Sequence, residues 1–358
     1  MKAMILAAGF GTRLFPLTID RTKPAIPFLG KPLVGYVAEY IAKYGFTDVV
    51  VNLHHQPESV KKALGGGENF GVKIHYTIEE PKILGTAGAL DNARHLLEDE
   101  TFLIVNGKII TDIDISAALE THKKSGALAT MVLKPNSKRE RFTIVETKDN
   151  LVTGFGEFPE NDSRFKIQDS RFKIQDSRFK IQDSEKNPQS EIRNLKSKIR
   201  NPLMFTGIHI LEPRIFDYIP RGVYSDIVPT FYNPAIRNGE KIVAHITEGS
   251  WFELSTIPRY LEISLAMMNG ANVFKGANCS ISSSANVKDS VIWDDVTIED
   301  GAQISNAIIA DGVKIKANKK HENAAIVRAD MLNHSREIPE KALKGFTDGE
   351  NYVVPLNQ

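Results

Sequence analysis

The chain has 358 residues, 45 of them basic and 44 acidic, for a net charge of +1, with 42% hydrophobic and 25% charged residues. That balance is ordinary for a folded soluble domain and gives no footing to a general nucleic-acid or membrane-surface binder. The single cysteine, Cys279, excludes an intrachain disulfide and a multi-cysteine zinc cage.

The opening run Met1 to Ala8 is too short for a secretion signal and reads as a buried strand entering a glycine loop. No stretch reaches the roughly 18 apolar residues that a membrane span needs. The expectation is a soluble cytoplasmic protein with no membrane partner. From residue 1 to about 160, short apolar runs alternate with helical patterns: strands at 4–6, 49–51, 72–74, 102–105 and 129–133, helices at 33–44, 91–97 and 114–124. Such alternation predicts an α/β domain with a mainly parallel sheet covered on both faces.

The segment 161–200 breaks the pattern. Arg-Phe-Lys-Ile-Gln-Asp-Ser occurs three times in tandem, at 164–170, 171–177 and 178–184. Its spacing of two then five is not a coiled-coil seam, and it carries few apolar groups to offset its ordering entropy. A flexible surface insertion is expected. Order resumes with a strand at 203–210, a short helix at 213–218 and a strand at 241–246. A helix is expected over 225–236, started or kinked by Pro229 and Pro234, and another over 258–268.

Beyond 276 the period changes. Ile281, Val287, Ile292, Ile298, Ile304, Ile309 and Ile315 follow at steps of six, five, six, six, five and six, so every third one is 17 residues on. A sandwich strand alternates every second residue; this longer step predicts a triangular parallel β-helix with one inward aliphatic per face. The period fades after 317, so 318–358 is expected to be a cap and tail.

The strongest chemical signal follows the first strand: Leu6-Ala7-Ala8-Gly9-Phe10-Gly11-Thr12-Arg13-Leu14, then Thr22-Lys23-Pro24. Glycines let backbone amides approach phosphate oxygens, and Arg13 and Lys23 add cationic donors. The loop lacks the Gly-Lys-Ser/Thr of a Walker P-loop and the third glycine of a dinucleotide fingerprint. Joined in order by Glu79, Leu84-Gly85-Thr86-Ala87-Gly88, Asn106-Gly107, Phe155-Gly156-Glu157, Thr206-Gly207 and Trp251 to Tyr260, it resembles the sugar-1-phosphate nucleotidyltransferase family. The nearest likeness is to mannose-1-phosphate guanylyltransferase-like and glucose-1-phosphate nucleotidyltransferase-like proteins with a hexapeptide-repeat C-terminus.

That resemblance implies a doubly wound, nucleotidyltransferase-type mixed sheet over 1–270, with the insertion at 161–200, then a left-handed parallel β-helix over 271–317. It implies NTP and sugar 1-phosphate as substrates, NDP-sugar and pyrophosphate as products, and Mg2+ as cofactor. By it, Leu6, Ala8, Gly9, Gly11, Thr12, Gly85 and Thr86 bind nucleotide, and Arg13 and Lys23 serve the reacting phosphates. Gly107, Glu157 and Thr206 meet the sugar. GTP with mannose 1-phosphate is the pair it favours, and the β-helix is the surface for homo- or hetero-oligomer contacts.

Four residues depart from the pattern. Lys108 stands where the family has a metal-binding aspartate, Glu253 where it has the second, Phe158 where it has a lysine, and Ser255 beside Glu253. The alternative function is therefore a catalytically impaired, nucleotide-sugar-binding regulatory or partner subunit. Plainer readings suffice elsewhere: Asp114 as a helix N-cap rather than a metal pair with Asp112, and His54-His55 as a loop. Tyr218, Phe231 and Tyr232 read as core or pocket wall, Lys314, Lys316, Lys319 and Lys320 as a solvated face, and Cys279 as packing.

Overall fold

The computed structural model describes residues 1–137, 140, 142–156, 202–334 and 337–357; the tandem repeats, Glu157 and Phe158 lie outside the described residues. Strand Ala3–Leu6 sits near the middle of a nine-stranded sheet. Its neighbours are the parallel strands Asp48–Leu53 and Phe102–Asn106, and Lys73–Ile78 extends the parallel half to the edge. Leu203–Leu211 then runs antiparallel to Phe102–Asn106, and the order continues Ala129–Pro135, Ile242–Ile246, Leu151–Gly156 and Ile144–Lys148. The sheet is thus mixed, parallel on the side of the first glycine loop and mostly antiparallel on the other.

The order of strands fixes where a ligand fits. From Ala3–Leu6 the chain adds strands outward on one side, then returns to the other side as Phe102–Asn106. The connections leaving these two strands diverge, opening a crevice at their C-terminal ends, the switch point of an open α/β sheet. Gly9, Gly11, Gly107 and Lys108 all follow those ends. Helix Leu33–Ala42 packs its buried face with Val37, Ala38 and Ile41 against one side of the sheet; Ala87, Leu90, Phe231 and Tyr232 belong to the core on the other.

Helix Ile115–Ser125 begins as expected, with Asp114 Oδ1 accepting from Ser116 N–H at 2.8 Å. The helix expected from Ser225 starts later. Ser225 and Asp226 carry no regular structure and lie across another helix start; helical geometry begins at Ile227 and continues as a π-turn over Val228–Tyr232 that runs into Asn233–Arg237. Pro229 lies in the first turn, where its missing N–H has no intrahelical partner to lose.

In the coil, Val273–Lys275, Ser290–Ile292, Gln303–Ile309 and Lys320–Arg328 stack in parallel register at 17-residue offsets. Ser280–Ile281, Thr297–Ile298 and Lys314–Ile315 form a second face. All seven aliphatics of the period fall in one interior cluster. The corners repeat too: Asn278, Asp295 and Gly312, then Asp289, Asn306 and Asn323, then Gly301 and Asn318, all have positive φ. Asn and Asp tolerate that left-handed conformation because their short side chains bond locally.

The stack does not end at 317. Lys320–Arg328 adds a strand, and Asn351–Pro355 then pairs antiparallel to it, closing that end. A third apolar cluster joins the two parts, bringing Leu14, Phe28, Tyr260 and Leu261 against Val291, Trp293, Ile308 and Val354. Trp293 Nε1 donates to Tyr260 Oη at 3.0 Å across that junction, and Arg21 pairs with Asp311 at 2.8 Å.

Candidate active site

The loop after Ala3–Leu6 is held by a buried polar chain. Ala7 N–H donates to Asn52 Oδ1 at 2.8 Å, Asn52 Nδ2 donates to Glu79 Oε1 at 2.5 Å, and Leu84 N–H donates to Glu79 Oε2 at 2.6 Å. Asn52 is 3% exposed and Glu79 1%. One carboxylate therefore ties the first glycine loop to the start of helix Gly85–Asn92, and hydrogen bonds to a charged acceptor are the strong kind.

Beyond Ala8, Gly9 and Phe10 are exposed, and Gly11 (φ +68°) turns the chain into the short 3-10 helix Thr12–Leu14. Arg13 projects to solvent, and Lys23 opens another short helix whose Cβ packs on Gly11. Among the described residues neither Arg13 nor Lys23 has a hydrogen-bond or ion-pair partner. Burial pushes the Lys23 ammonium down to about 7, the Lys108 and Arg13 charges push the same way, and Glu253 opposes them. The Arg13 and Lys108 charges thus act on Lys23 beside the glycine loop, an electrostatic setting that favours a negative group over a positive one.

Lys108 follows Gly107, which cannot be larger: a Cβ there would lie 2.9 Å from the Leu6 carbonyl oxygen. Next, Ile109–Thr111 and Trp251–Glu253 form a two-stranded ribbon with Glu253 opposite Ile109. Leu254 N–H donates to the Lys108 carbonyl at 3.1 Å, and Trp251 Nε1 anchors the ribbon on the Thr206 carbonyl at 2.8 Å. That register places the Lys108 ammonium 2.9 Å from Glu253 Oε1, with the carboxylate side chain 10% exposed and the lysine 32%.

A cavity of about 240 Å³ lies at the ends of the two central strands, lined by Leu6, Thr86, Leu90, Asn106, Phe205, His209 and Asp226 among others. Asp226 Oδ1 accepts from the Thr86 N–H and hydroxyl at 3.3 Å, and Oδ2 accepts from the Tyr224 hydroxyl at 3.0 Å. His209 is buried, contacts the Tyr232 hydroxyl through Nδ1 at 2.6 Å, and is pushed down to about 3 by burial.

Of the residues expected at the site, Leu6 and Thr86 line this cavity, while the Arg13 and Glu253 charges both act on Lys23. Others are engaged differently. The Ala87 and Gly88 amides donate to the Ser225 carbonyl at 2.8 and 3.1 Å, so the strap Val223–Asp226 covers that helix start. Gly85 (φ +74°) packs under the strap, where a Cβ would come 2.6 Å from Ser225 O. Thr206, expected at the sugar, is fully buried in the sheet, and its hydroxyl donates to the Val132 carbonyl at 2.7 Å. Glu157, expected at the sugar, lies outside the described residues.

Sequence reasoning missed Asp226, Phe205 and His209 as wall residues. Asp226 sat inside a stretch read as helix, and the other two were read only as strand positions. His54 and His55 lie, half-buried, in the loop after Asp48–Leu53 as expected, and His54 Nδ1 contacts the Glu79 carbonyl at 2.8 Å. The basic cluster near the coil's end is paired, Lys314 with Glu299 at 3.2 Å and Lys319 with Asp348 at 2.6 Å.

The Mg2+ that the resemblance implies does not fit the residues present. Mg2+ asks for near-octahedral oxygen ligands at about 2.0–2.1 Å. Here one of the two carboxylate positions carries an ammonium, and that ammonium already occupies the other carboxylate. A divalent ion about 4 Å from an ammonium meets repulsion of roughly 8 kcal/mol at an effective dielectric near 20. Among the described residues, no three His, Cys, Asp or Glu side chains gather to hold a metal. No helix among them is long and apolar enough to cross a membrane.

Comparison with known proteins agrees with this geometry. Residues 2–270 match the nucleotidyl transferase family, and 255–336 match the GlmU-like C-terminal hexapeptide family. The chain is 30% identical to a UTP–glucose-1-phosphate uridylyltransferase of Synechocystis sp. over 88% of its own length and 76% of the relative's. It is 30% identical to an N-acetylmuramate alpha-1-phosphate uridylyltransferase of Neisseria meningitidis serogroup B, over 73% and 96%. A mannose-1-phosphate guanyltransferase of Aspergillus oryzae is 36% identical over 46% of each chain. A Bacillus anthracis structure described as a glucose-1-phosphate thymidylyltransferase shares the fold at a TM-score of 0.58 and 21% identity, covering 76% of this chain and 96% of that one. With a family match over residues 2–270, a crevice at the switch point of the sheet and a left-handed hexapeptide β-helix behind it, the chain belongs to the nucleotidyl transferase family.

Proposed function

We propose that the chain joins a nucleoside triphosphate to a sugar 1-phosphate, with GTP and mannose 1-phosphate as the pair. An oxygen of the sugar phosphate attacks the α-phosphorus; the bond from that phosphorus to the bridging oxygen breaks, and pyrophosphate leaves as NDP-sugar forms. Arg13 and Lys23 supply positive charge to the phosphates as charge shifts onto the leaving group, so catalysis rests on position and electrostatics. The observation that carries this reading is the pair of unpartnered cations at the glycine loop, beside a cavity walled by Leu6 and Thr86.

Asp226 supports guanine on the base side. By the resemblance Thr86 faces the base, and the carboxylate beside it accepts N–H donors. Guanine offers an N1–H and an exocyclic amine there, whereas uracil offers one N–H. Residues 1–270 carry the chemistry on this reading, and the coil that follows provides the surface for oligomer contacts.

A second reading is a nucleotide-sugar-binding subunit with little turnover, favoured by the Lys108–Glu253 pair in place of two aspartates. Pyrophosphate release separates the two. GTP, ATP, UTP and dTTP are tested against mannose 1-phosphate, glucose 1-phosphate and N-acetylmuramate 1-phosphate, with and without Mg2+. Turnover with GTP and mannose 1-phosphate supports the first reading; turnover with another pair replaces the substrates but keeps the reaction. Saturable GDP-mannose binding with no pyrophosphate from any pair establishes the second.

A further inference from the structure

We infer that the Lys108 ammonium, seated on Glu253, is the resident cation of this pocket, so that the chain takes its nucleoside triphosphate as the metal-free anion rather than as a divalent-ion complex. The inference rests on the reading of the pocket as a triphosphate site and adds the ionic form of the ligand. Three features carry it. The ribbon register and the Leu254 N–H bond to the Lys108 carbonyl hold Lys108 and Glu253 side by side, so the 2.9 Å contact follows from the backbone. Glu253 takes one of the ammonium's three donors, and Lys108 remains one-third exposed, so the other two can reach a ligand.

Charge is the third feature. Lys108 neutralises Glu253, Arg13 adds a positive charge without an ion-pair partner, and Lys23, pushed down to about 7, is charged in about half of the molecules near neutral pH and gains its proton beside an anion. A divalent ion entering there meets the Lys108 and Arg13 charges and one carboxylate already claimed. A metal-free triphosphate meets the same two charges with its full negative charge and draws a proton onto Lys23 as a third. The preferred form of the ligand follows from that contrast.

Two measurements test the inference, and the first needs no nucleotide. Mn2+ alone is titrated into the native chain and into Lys108→Asp, with free Mn2+ read by electron paramagnetic resonance. The native chain is expected to show no Mn2+ site that Glu253→Gln abolishes, and Lys108→Asp to bind Mn2+ about tenfold or more tighter than native. A native Mn2+ site lost in Glu253→Gln overturns the inference. In the second, GTP binding to the native chain is measured calorimetrically in EDTA and in Mg2+. Affinity in EDTA is expected to equal or exceed that in Mg2+, and Lys108→Met to lower the EDTA value about tenfold. Native affinity about tenfold tighter in Mg2+ overturns it. If no nucleoside triphosphate binds under either condition, the functional reading falls while the Mn2+ titration still decides whether Lys108 excludes the metal.

Discussion

Glu79 is the test of whether the two glycine loops are held as one unit. Glu79→Gln keeps the shape of the side chain but replaces one acceptor oxygen with an amine. Both carboxylate oxygens are in use, one by Asn52 Nδ2 and one by Leu84 N–H, so either orientation of the amide sets a donor against a donor. The loss is one hydrogen bond to a charged acceptor, about 1.5–3 kcal/mol, plus a buried N–H left unpaired, about 1–3 kcal/mol. With partial relaxation we expect a net loss of about 3 kcal/mol. Urea unfolding followed by circular dichroism reads it as a lower midpoint at unchanged slope, with exposed Glu80→Gln as the control. Because Ala7 hangs from the same chain through Asn52, nucleotide affinity should fall with stability. A midpoint within about 0.5 kcal/mol of the native one, the range of a surface substitution, would refute the coupling of the loops through this carboxylate.

Four further outcomes follow from the same geometry. Asp226→Asn exchanges an acceptor for a mixed donor and acceptor, and should cut the kcat/KM preference for GTP over UTP about tenfold; an unchanged ratio removes Asp226 from base selection. His209 is held neutral down to about 3, whereas an exposed histidine protonates near 6.5. The unfolded chain therefore binds the extra proton between those values, and the stability present above pH 6.5 is lost as pH falls, by up to about 1.4 kcal/mol per unit. His209→Asn should flatten that slope in unfolding curves between about pH 4 and 6. Ile298→Ala, one per cent exposed and in register with Ile281 and Ile315, should cost about 2–5 kcal/mol, visible in thermal unfolding of the coil. A double-mutant cycle with Lys108→Met and Glu253→Gln should return a coupling of about 1–2 kcal/mol, reduced from the fully buried range by the exposure of the lysine; zero coupling means that the pair does not persist in solution.

Much of the fold was legible because it rests on periodicity. The seven aliphatics at steps of five and six all point into the coil, since three short faces per turn leave one inward side chain on each. The corner residues carried a second signal that the aliphatic count did not use: asparagine, aspartate or glycine at 17-residue intervals with positive φ. His321 explains why the period seemed to end at 317. It stands in register with Ile304 on Lys320–Arg328, so a polar residue replaces the aliphatic marker while the backbone stack continues. Around the crevice, local pattern misled in another way. Ser225 to Ile236 reads as a helix from local pattern, but Ser225 bonds Leu84 and Asp226 bonds Thr86, and these tertiary contacts keep the first two residues out of the helix.

Lys108 and Glu253 show what a linear reading leaves out. As isolated positions they read as two losses, one charge reversed and one carboxylate moved by a methylene, each weakening a metal site. Their separation of 145 positions along the chain hides that the ribbon makes them neighbours. Taken together they are one exchange: the longer carboxylate reaches the ammonium, and the ammonium supplies positive charge where two acids alone would repel. An aspartate at 108 beside Glu253 would have to recruit an external cation or lose stability, whereas lysine at 108 satisfies Glu253 from within the chain. The pocket stays cationic because Arg13 and Lys23 are not spent on that neutralisation. If the crevice takes a triphosphate as we propose, the altered positions change the source of the charge at the phosphates and preserve its sign.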